Sequence, residues 1–376
     1  MKFSDFLKNE IDELKRKNLY RKRETLSENI INFSSNDYLG LRNNQYIKKL
    51  LCENIKNLSL GSGASTHISG YTTIQQNLEK KLAKFKKTED CLVVGSGYLA
   101  NVGLIAALTK PDDVIFSDEL NHASIIDGIR LSKAKRVIYK HCDIVDLEKK
   151  IKDINPTKGR IFIVTDGVFS MEGDIAPIDR LYTLAKKYNA VLIIDDAHAT
   201  GVIGDGRGSL FHFGLNPDEN IIQMGTLSKA IGSYGAFICG TNLLVEYLIN
   251  KMRTVIFTTA LSDMQNFVSL KNLEIIEKNP NMTKELLEKA KFLYENIKDI
   301  PLKVKYYGVP IISIITKTEE KALYLRDKLL EHGYFVQAIR PPTVPKGESR
   351  LRITVSYSHT YEEIKDFIKT LKGVIK

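Results

Sequence analysis

Short unbroken apolar runs alternate with helical spacing through the middle of the chain. Val191–Ile194 is the clearest run. It is closed by Asp195 and Asp196, which is how a parallel strand buried on both faces reads. Similar strands are expected at Asp90–Val94, Val114–Phe116, Arg160–Thr165 and Ile221–Met224. Helical periodicity marks Thr73–Lys86 through Ile74, Leu78, Leu82 and Phe85, then Leu99–Leu108 and Ile178–Tyr188. The β–α alternation from Cys91 to Gly240 predicts an α/β fold with a mainly parallel sheet covered by helices.

The ends of the chain follow other patterns. Phe3, Phe6, Leu7, Ile11 and Leu14 recur at helical spacing, so an amphipathic helix docked on something is expected there. After Leu243 helices dominate to Lys298. Strands at Leu302–Val304, Pro310–Ile315, Phe335–Ile339 and Leu351–Val355 then alternate with helices at Glu319–Glu331 and Tyr361–Leu371. The expected organisation is a helix and linker over 1–40, a large domain over 41–245, and interdomain helices with a small α+β domain over 246–376.

Open α/β sheets place ligands at the carboxyl ends of their strands. The run Val191–Ile194 delivers Asp195, Asp196 and His198 there, and Ile221–Met224 delivers Thr226, Ser228 and Lys229. Taken singly, the aspartates read as helix caps or solvated loop residues and the lysine as surface. A metal site at Asp-Asp-x-His lacks a second histidine cluster, so no metal is expected. Gly95-Ser-Gly-Tyr98 turns into a helix, and such a turn presents free amides and a positive dipole end to an anion. A dinucleotide fingerprint is formally present, with Ala100 in the third glycine's place and Asp118 about 20 residues on. Lys229 would have no role in that site, and a single phosphate monoester needs only the loop. His122 and Ser170 sit on two further strand-end loops. A lysine for an aldehyde and a carboxylate for a pyridinium nitrogen are what pyridoxal 5'-phosphate requires.

The ordered motifs SSNDYLGL, GSGASTHISGY, GSGYLAN, NHAS, DGVFSMEGD, DDAHATGVIG, GTLSKAIGSYG and RPPTVPKGESRLRIT resemble those of the α-oxoamine synthases, from Arg21 to the end of the chain. The resemblance implies the fold-type I architecture of pyridoxal-phosphate transferases and an acyltransferase working as a homodimer. It also implies residue roles. Lys229 would join the cofactor's aldehyde and act as acid and base, and Asp195 would pair with the ring nitrogen. His122 would stack on the ring, and Ser170 and His198 would bond its phenolic oxygen. Gly97, Tyr98 and Thr226 would hold the phosphate, with Thr258 or Thr259 reaching the neighbouring subunit's phosphate. Arg21, Thr343 and Arg352 would serve the substrate. The member fitting best joins L-alanine to a pimeloyl thioester, pimeloyl-CoA or pimeloyl-acyl-carrier protein, with loss of carbon dioxide. Members using glycine with acetyl or succinyl thioesters are the alternative. An aminotransferase on the same fold and a non-catalytic partner subunit are the readings from other classes, and Lys229 in its place counts against the second.

Composition adds limits. The chain has 376 residues, 43% of them hydrophobic, enough for one large domain and a smaller one. Its net charge of +10 favours acidic partners. Carboxylates interleave with the lysines on helix faces, as in Lys284–Leu293, so nucleic acid is not an expected partner. Four cysteines without C-x-x-C spacing read as buried free thiols. No apolar stretch of signal-peptide or membrane-spanning length is visible, so a cytoplasmic protein with no membrane partner is expected.

Overall fold

The computed structural model describes residues 1–156 and 158–375. In chain order they form α1 (Phe3–Arg16), β1 (Ile31–Asn32), α2 (Gln45–Asn54), α3 (Thr73–Lys86), β2 (Asp90–Val94), α4 (Gly97–Leu108), β3 (Val114–Asp118), α5 (Ala123–Leu131), β4 (Lys135–Tyr139), α6 (Ile144–Ile154), β5 (Ile161–Asp166), α7 (Ile178–Lys187), β6 (Val191–Asp195), α8 (Ser209–His212), β7 (Ile221–Thr226) and β8 (Ala236–Gly240). There follow α9 (Asn242–Lys251), α10 (Arg253–Ile256), α11 (Asp263–Lys278), α12 (Asn281–Ile297), β9 (Lys303–Tyr306), β10 (Ile311–Lys317), α13 (Glu319–Glu331), β11 (Tyr334–Phe335), β12 (Gln337–Ile339), β13 (Ser349–Thr354) and α14 (Tyr361–Ile375). They pack as two compact units. The large one is Asp37–Ser170 with Asp174–Glu285; the small one is Met1–Asn36, Met171–Gly173 and the chain from Leu286 onward. The expected breaks at 40 and 245 therefore differ from the observed ones: α9, α10 and α11 belong to the large unit, and the first 36 residues belong to the small one.

The large unit is built on a seven-stranded sheet of order β2-β8-β7-β6-β5-β3-β4. The neighbours from β7 to β4 are parallel, while β8 runs antiparallel to both β7 and β2. Apolar runs buried on both sides explain this layered build, because successive side chains point to opposite faces. In β6, Ile193 enters one core with Ile105, Ile125 and Leu248, while Leu192 and Ile194 enter the other with Leu147, Leu181 and Leu184. The parallel strands then deliver Asp118, Asp166, Asp195 and Thr226 together at their carboxyl ends. All four are buried.

The small unit carries the antiparallel sheet β12-β13-β10-β9 and the parallel pair β1-β11. Phe33 secures the N-terminal segment here. It is fully buried, its ring stacked on Phe367 at 4.1 Å and tilted against His359 at 4.2 Å.

Helix α1 forms as its spacing predicts; none of its residues is buried and Phe3 is 74% exposed, so its apolar face has no cover among the described residues. One expectation, the burial of all four cysteines, is corrected. Of the cysteines only Cys91 and Cys239 are buried. Cys52 is exposed and Cys142 half-buried, because neither lies on a sheet strand.

Candidate active site

A cavity of about 190 Å³ opens at the carboxyl ends of β3, β5, β6 and β7. Lys229, Asp195, His122, His198, Gly97, Tyr98 and Thr226 all line it, joined by Ser124, Asp166, Ala197, Met224 and Ser228. Residues scattered over more than 130 positions are brought together by parallel strands that end at one edge.

The Lys229 amine lies 2.7 Å from His198 Nε2, and the hydroxyl of Tyr38 lies 2.6 Å from His198 Nδ1. Tyr38 is fully buried, so it fixes the imidazole from behind. Asp195 is oriented as tightly. Its Oδ2 accepts from Asn101 Nδ2 at 2.7 Å and its Oδ1 from the Ala197 amide at 2.9 Å. Asn101 also donates to Ser124 Oγ at 2.9 Å, and that hydroxyl lies 2.7 Å from His122 Nδ1. One chain of polar contacts thus ties the carboxylate to the imidazole across the cavity.

Burial pulls the His122 pKa down, with the Asp195 charge acting against it and Lys229 adding to the fall. The result is a neutral ring, suited to flat contact with an aromatic ligand. Asp166, the register partner of Asp195, is pushed well up by burial and then by the Asp195 charge. Its Oδ2 accepts the His122 amide at 2.7 Å.

The anion turn is built as its sequence suggests. Ser96 caps α4, its hydroxyl accepting from the Leu99 amide at 3.3 Å, and Gly97 and Tyr98 form the first helical positions. Thr226 closes the far side, its hydroxyl 2.7 Å from Ser228 Oγ and donating to the Gly235 carbonyl at 2.9 Å.

Other expected residues lie off the lining. Ser170 is half-buried in the loop between β5 and α7. Thr258 is half-buried near Gly95, and Thr259 is exposed in a bridge with Ser65. In the small unit, Arg21 Nη2 donates to Thr343 Oγ1 at 3.1 Å, and buried Arg352 donates to Thr354 Oγ1 at 2.9 Å. Neighbouring arginines have structural partners. Arg350 is buried and pairs with Glu172 at 2.9 Å and Glu348 at 3.2 Å, and Arg340 donates to the Asn18 and Tyr20 carbonyls.

Two further groups support the strand ends. Asp196, beside Asp195, is fully buried and pairs at 2.9 Å with Lys86, itself fully buried at the end of α3. No side chain fits beside this carboxylate: a Cβ on Gly208 would lie 2.0 Å from Asp196 Oδ2, and one on Gly167 would lie 2.3 Å from Oδ1. His141 sits between Asp118, 2.9 Å from Nδ1, and Asp174, 2.7 Å from Nε2, with its ring edge-on to Phe169. Burial opposes its charge, but the two carboxylates outweigh burial and raise its pKa to about 12.

Sequence reasoning missed Tyr38, Asn101, Ser124, Asp166, Lys86 and His141 as members of this machinery. Tyr38, Asn101, Ser124 and Asp166 stand inside quoted motifs. Position within a motif was the signal that could have found them.

The donor set fits pyridoxal phosphate: a lysine, a buried and oriented carboxylate, a neutral imidazole and a helix N-terminus share one cavity. The model of aminotransferase class I and II matches residues 28–371. The chain belongs to this family. Within it, the 8-amino-7-oxononanoate synthase of Lysinibacillus sphaericus is 48% identical over 345 residues, covering 92% of this chain and 88% of the relative. The solved 8-amino-7-oxononanoate synthase of Francisella tularensis superposes with a TM-score of 0.76 at 33% identity, covering 92% of this chain and 98% of that one. A serine palmitoyltransferase from S. paucimobilis with bound PLP and myriocin superposes with a TM-score of 0.91 at 25% identity, covering 98% and 96%. The expected fold-type I architecture agrees with these matches. No helix among the described residues is long and apolar enough to cross a membrane.

Proposed function

We propose that the chain condenses L-alanine with a pimeloyl thioester, carried by coenzyme A or an acyl carrier protein, to give 8-amino-7-oxononanoate, carbon dioxide and free thiol. Pyridoxal 5'-phosphate is the cofactor of this reading. The observation that carries it is the Lys229 amine held against His198 in the same cavity as the Asn101-oriented Asp195. Near full-length likeness to synthases of that name supports the substrate pair. When bound, the cofactor supplies an electron sink for a carbanion at the amino acid's α-carbon.

The chain's own residues do the rest. Lys229 would move the α-proton, its amine held 2.7 Å from His198 Nε2. Asp195 presents a fixed negative charge to a ring nitrogen, favouring its protonated form by direct attraction. The Gly97 and Tyr98 amides would hold the phosphate at the start of α4, where the helix dipole favours an anion, and Thr226 would add a hydroxyl. His122 offers its neutral ring face. Ser170 belongs with His198 on the phenolic oxygen, and Thr258 or Thr259 with the phosphate of a second subunit. Arg21, Thr343 and Arg352 are the substrate contacts; Arg352 can grip a carboxylate with two parallel bonds where a lysine could not.

The direct test is borohydride reduction of the cofactor-loaded protein followed by peptide mapping. The pyridoxyl group is expected on Lys229, and Lys229→Ala should carry none. Attachment to another lysine would overturn the site.

A further inference from the structure

Strand β2 forms one edge of the large sheet and, among the described residues, pairs with β8 alone, where Cys91 stands directly opposite Cys239. In an antiparallel pair, opposed residues alternate between hydrogen-bonded and non-hydrogen-bonded positions, and the second kind brings the backbones closer. The outward contacts of β2 settle which kind this is. The Val93 amide donates to Glu79 Oε1 of α3 at 2.9 Å, so it points away from β8. The Cys91 amide, two residues earlier and on the same side, donates to Asp90 Oδ1 at 2.8 Å. Cys91 and Cys239 are therefore a non-hydrogen-bonded pair. Such pairs have Cα atoms about 4.5 Å apart, within the roughly 4.4–6.8 Å that a disulfide spans. Standing directly opposite each other, the two side chains lie on the same sheet face.

Access comes from the strand's open edge. A cavity of about 270 Å³ lies there, with Cys91, Glu79 and Gln75 among its lining. Both thiols are buried, but Cys91 lines this cavity and Cys239 does not, so Cys91 is the entry point. Burial pushes the Cys91 thiol well up, which keeps it protonated and slow to react until the edge opens.

We propose that Cys91 and Cys239 are a dithiol that closes into a cross-strand disulfide when a small-molecule disulfide serves as oxidant. The Cys91 thiol loses its proton and its sulfur attacks the oxidant's S–S bond, forming a mixed disulfide and releasing one small thiol. The Cys239 thiol then loses its proton and attacks the Cys91 sulfur, releasing the second small thiol. The cysteines lose two electrons and two protons, and the oxidant gains both. The bridge would staple the edge strand that leads into the Gly95–Tyr98 turn to the strand that follows the Lys229 loop. It forms three residues ahead of the end of β2, away from the catalytic edge. A rise in the thermal midpoint with unchanged labelling of Lys229 is the expected consequence.

The test uses the full chain, reduced and then incubated with oxidised glutathione, with and without a low urea concentration. Thiols counted after denaturation should fall from four to two. Intact mass should fall by two hydrogens, and one new peptide should join Cys91 to Cys239. Urea below the unfolding transition should speed the reaction several-fold. Cys91→Ser and Cys239→Ser should each abolish the bridge, whereas Cys52→Ser and Cys142→Ser should leave it. The unmodified chain carries the decisive measurement if a variant fails to fold. Four titratable thiols at equilibrium, or a bridge or stable mixed disulfide confined to Cys52 or Cys142, would overturn the proposal.

Discussion

Adjacent aspartates at the end of β6 serve different ends, and their partners make the difference. Asp195 faces the cavity, held by the Asn101 amide, while Asp196 is turned into the protein against Lys86. A fully buried ion pair is weak evidence of net stability, but removing one member leaves the other charged and unpaired, at a cost of about 3–5 kcal/mol. Lys86→Ala should therefore lower the unfolding free energy by that order in a urea titration; a loss below about 1 kcal/mol, the scale of exposed pairs, would show that Asp196 is solvated or protonated. Asp195 was legible because its run ends a buried strand beside His198. The role of Asp196 was not: Lys86 lies 110 positions earlier, and no local spacing links them. The same holds for Tyr38, which is 160 positions from His198.

Long apolar runs and strong helical periods were the legible elements. The Thr73–Lys86, Asp90–Val94 and Glu319–Glu331 expectations coincide with α3, β2 and α13. Strand β4 escaped because it is an edge strand, with only Tyr139 buried, and so lacks an apolar run. The antiparallel direction of β8 escaped because its run, Ala236–Gly240, is buried throughout and reads alike in either sense. Neither the sequence nor the strand pattern revealed how the β5–α7 loop is fixed. His141, between Asp118 and Asp174, supplies that clamp. Its pKa of about 12, against an ordinary 6.5, means that folding takes up a proton at intermediate pH. The stabilisation is whole below pH 6.5 and drains away as pH rises toward 12. Comparing His141→Gln with the parent by urea unfolding across that range, the stability gap should be largest at the acid end and close as pH climbs. A gap independent of pH would show that no imidazolium sits there. Cys142, beside it, has its thiol pushed up by burial and does not supply the charge.

At the scale of the whole chain, each unit draws on residues distant in sequence. Patterning alone placed the breaks near 40 and 245, because it registers changes of period and not pairings. The small unit gathers the N-terminus through long-range contacts such as β1 on β11 and Phe33 on Phe367, which periodicity does not encode. Its helix α1 leaves Phe3, Phe6, Leu7, Ile11 and Leu14 exposed, and in the large unit Ile68 and Phe257 are 80% and 70% exposed. Under the proposed function, the expected cover for this exposed apolar surface is a second copy of the chain. Light scattering at micromolar concentration should give the mass of a dimer, and α1 lacking its first seven residues should weaken it. A fully active monomer would contradict this.

The substrate pair remains the central claim, and product identification tests it most directly. Protein loaded with pyridoxal phosphate would be given alanine or glycine in turn, each with pimeloyl, acetyl and succinyl thioesters, and the products weighed by mass spectrometry. Alanine with the pimeloyl thioester should give 8-amino-7-oxononanoate, one carbon dioxide and one free thiol per turnover. Glycine should react poorly, since one methyl group is worth only about 1–3 kcal/mol of discrimination. A clear preference for glycine with an acetyl or succinyl thioester would contradict the assignment while leaving the Lys229 site standing.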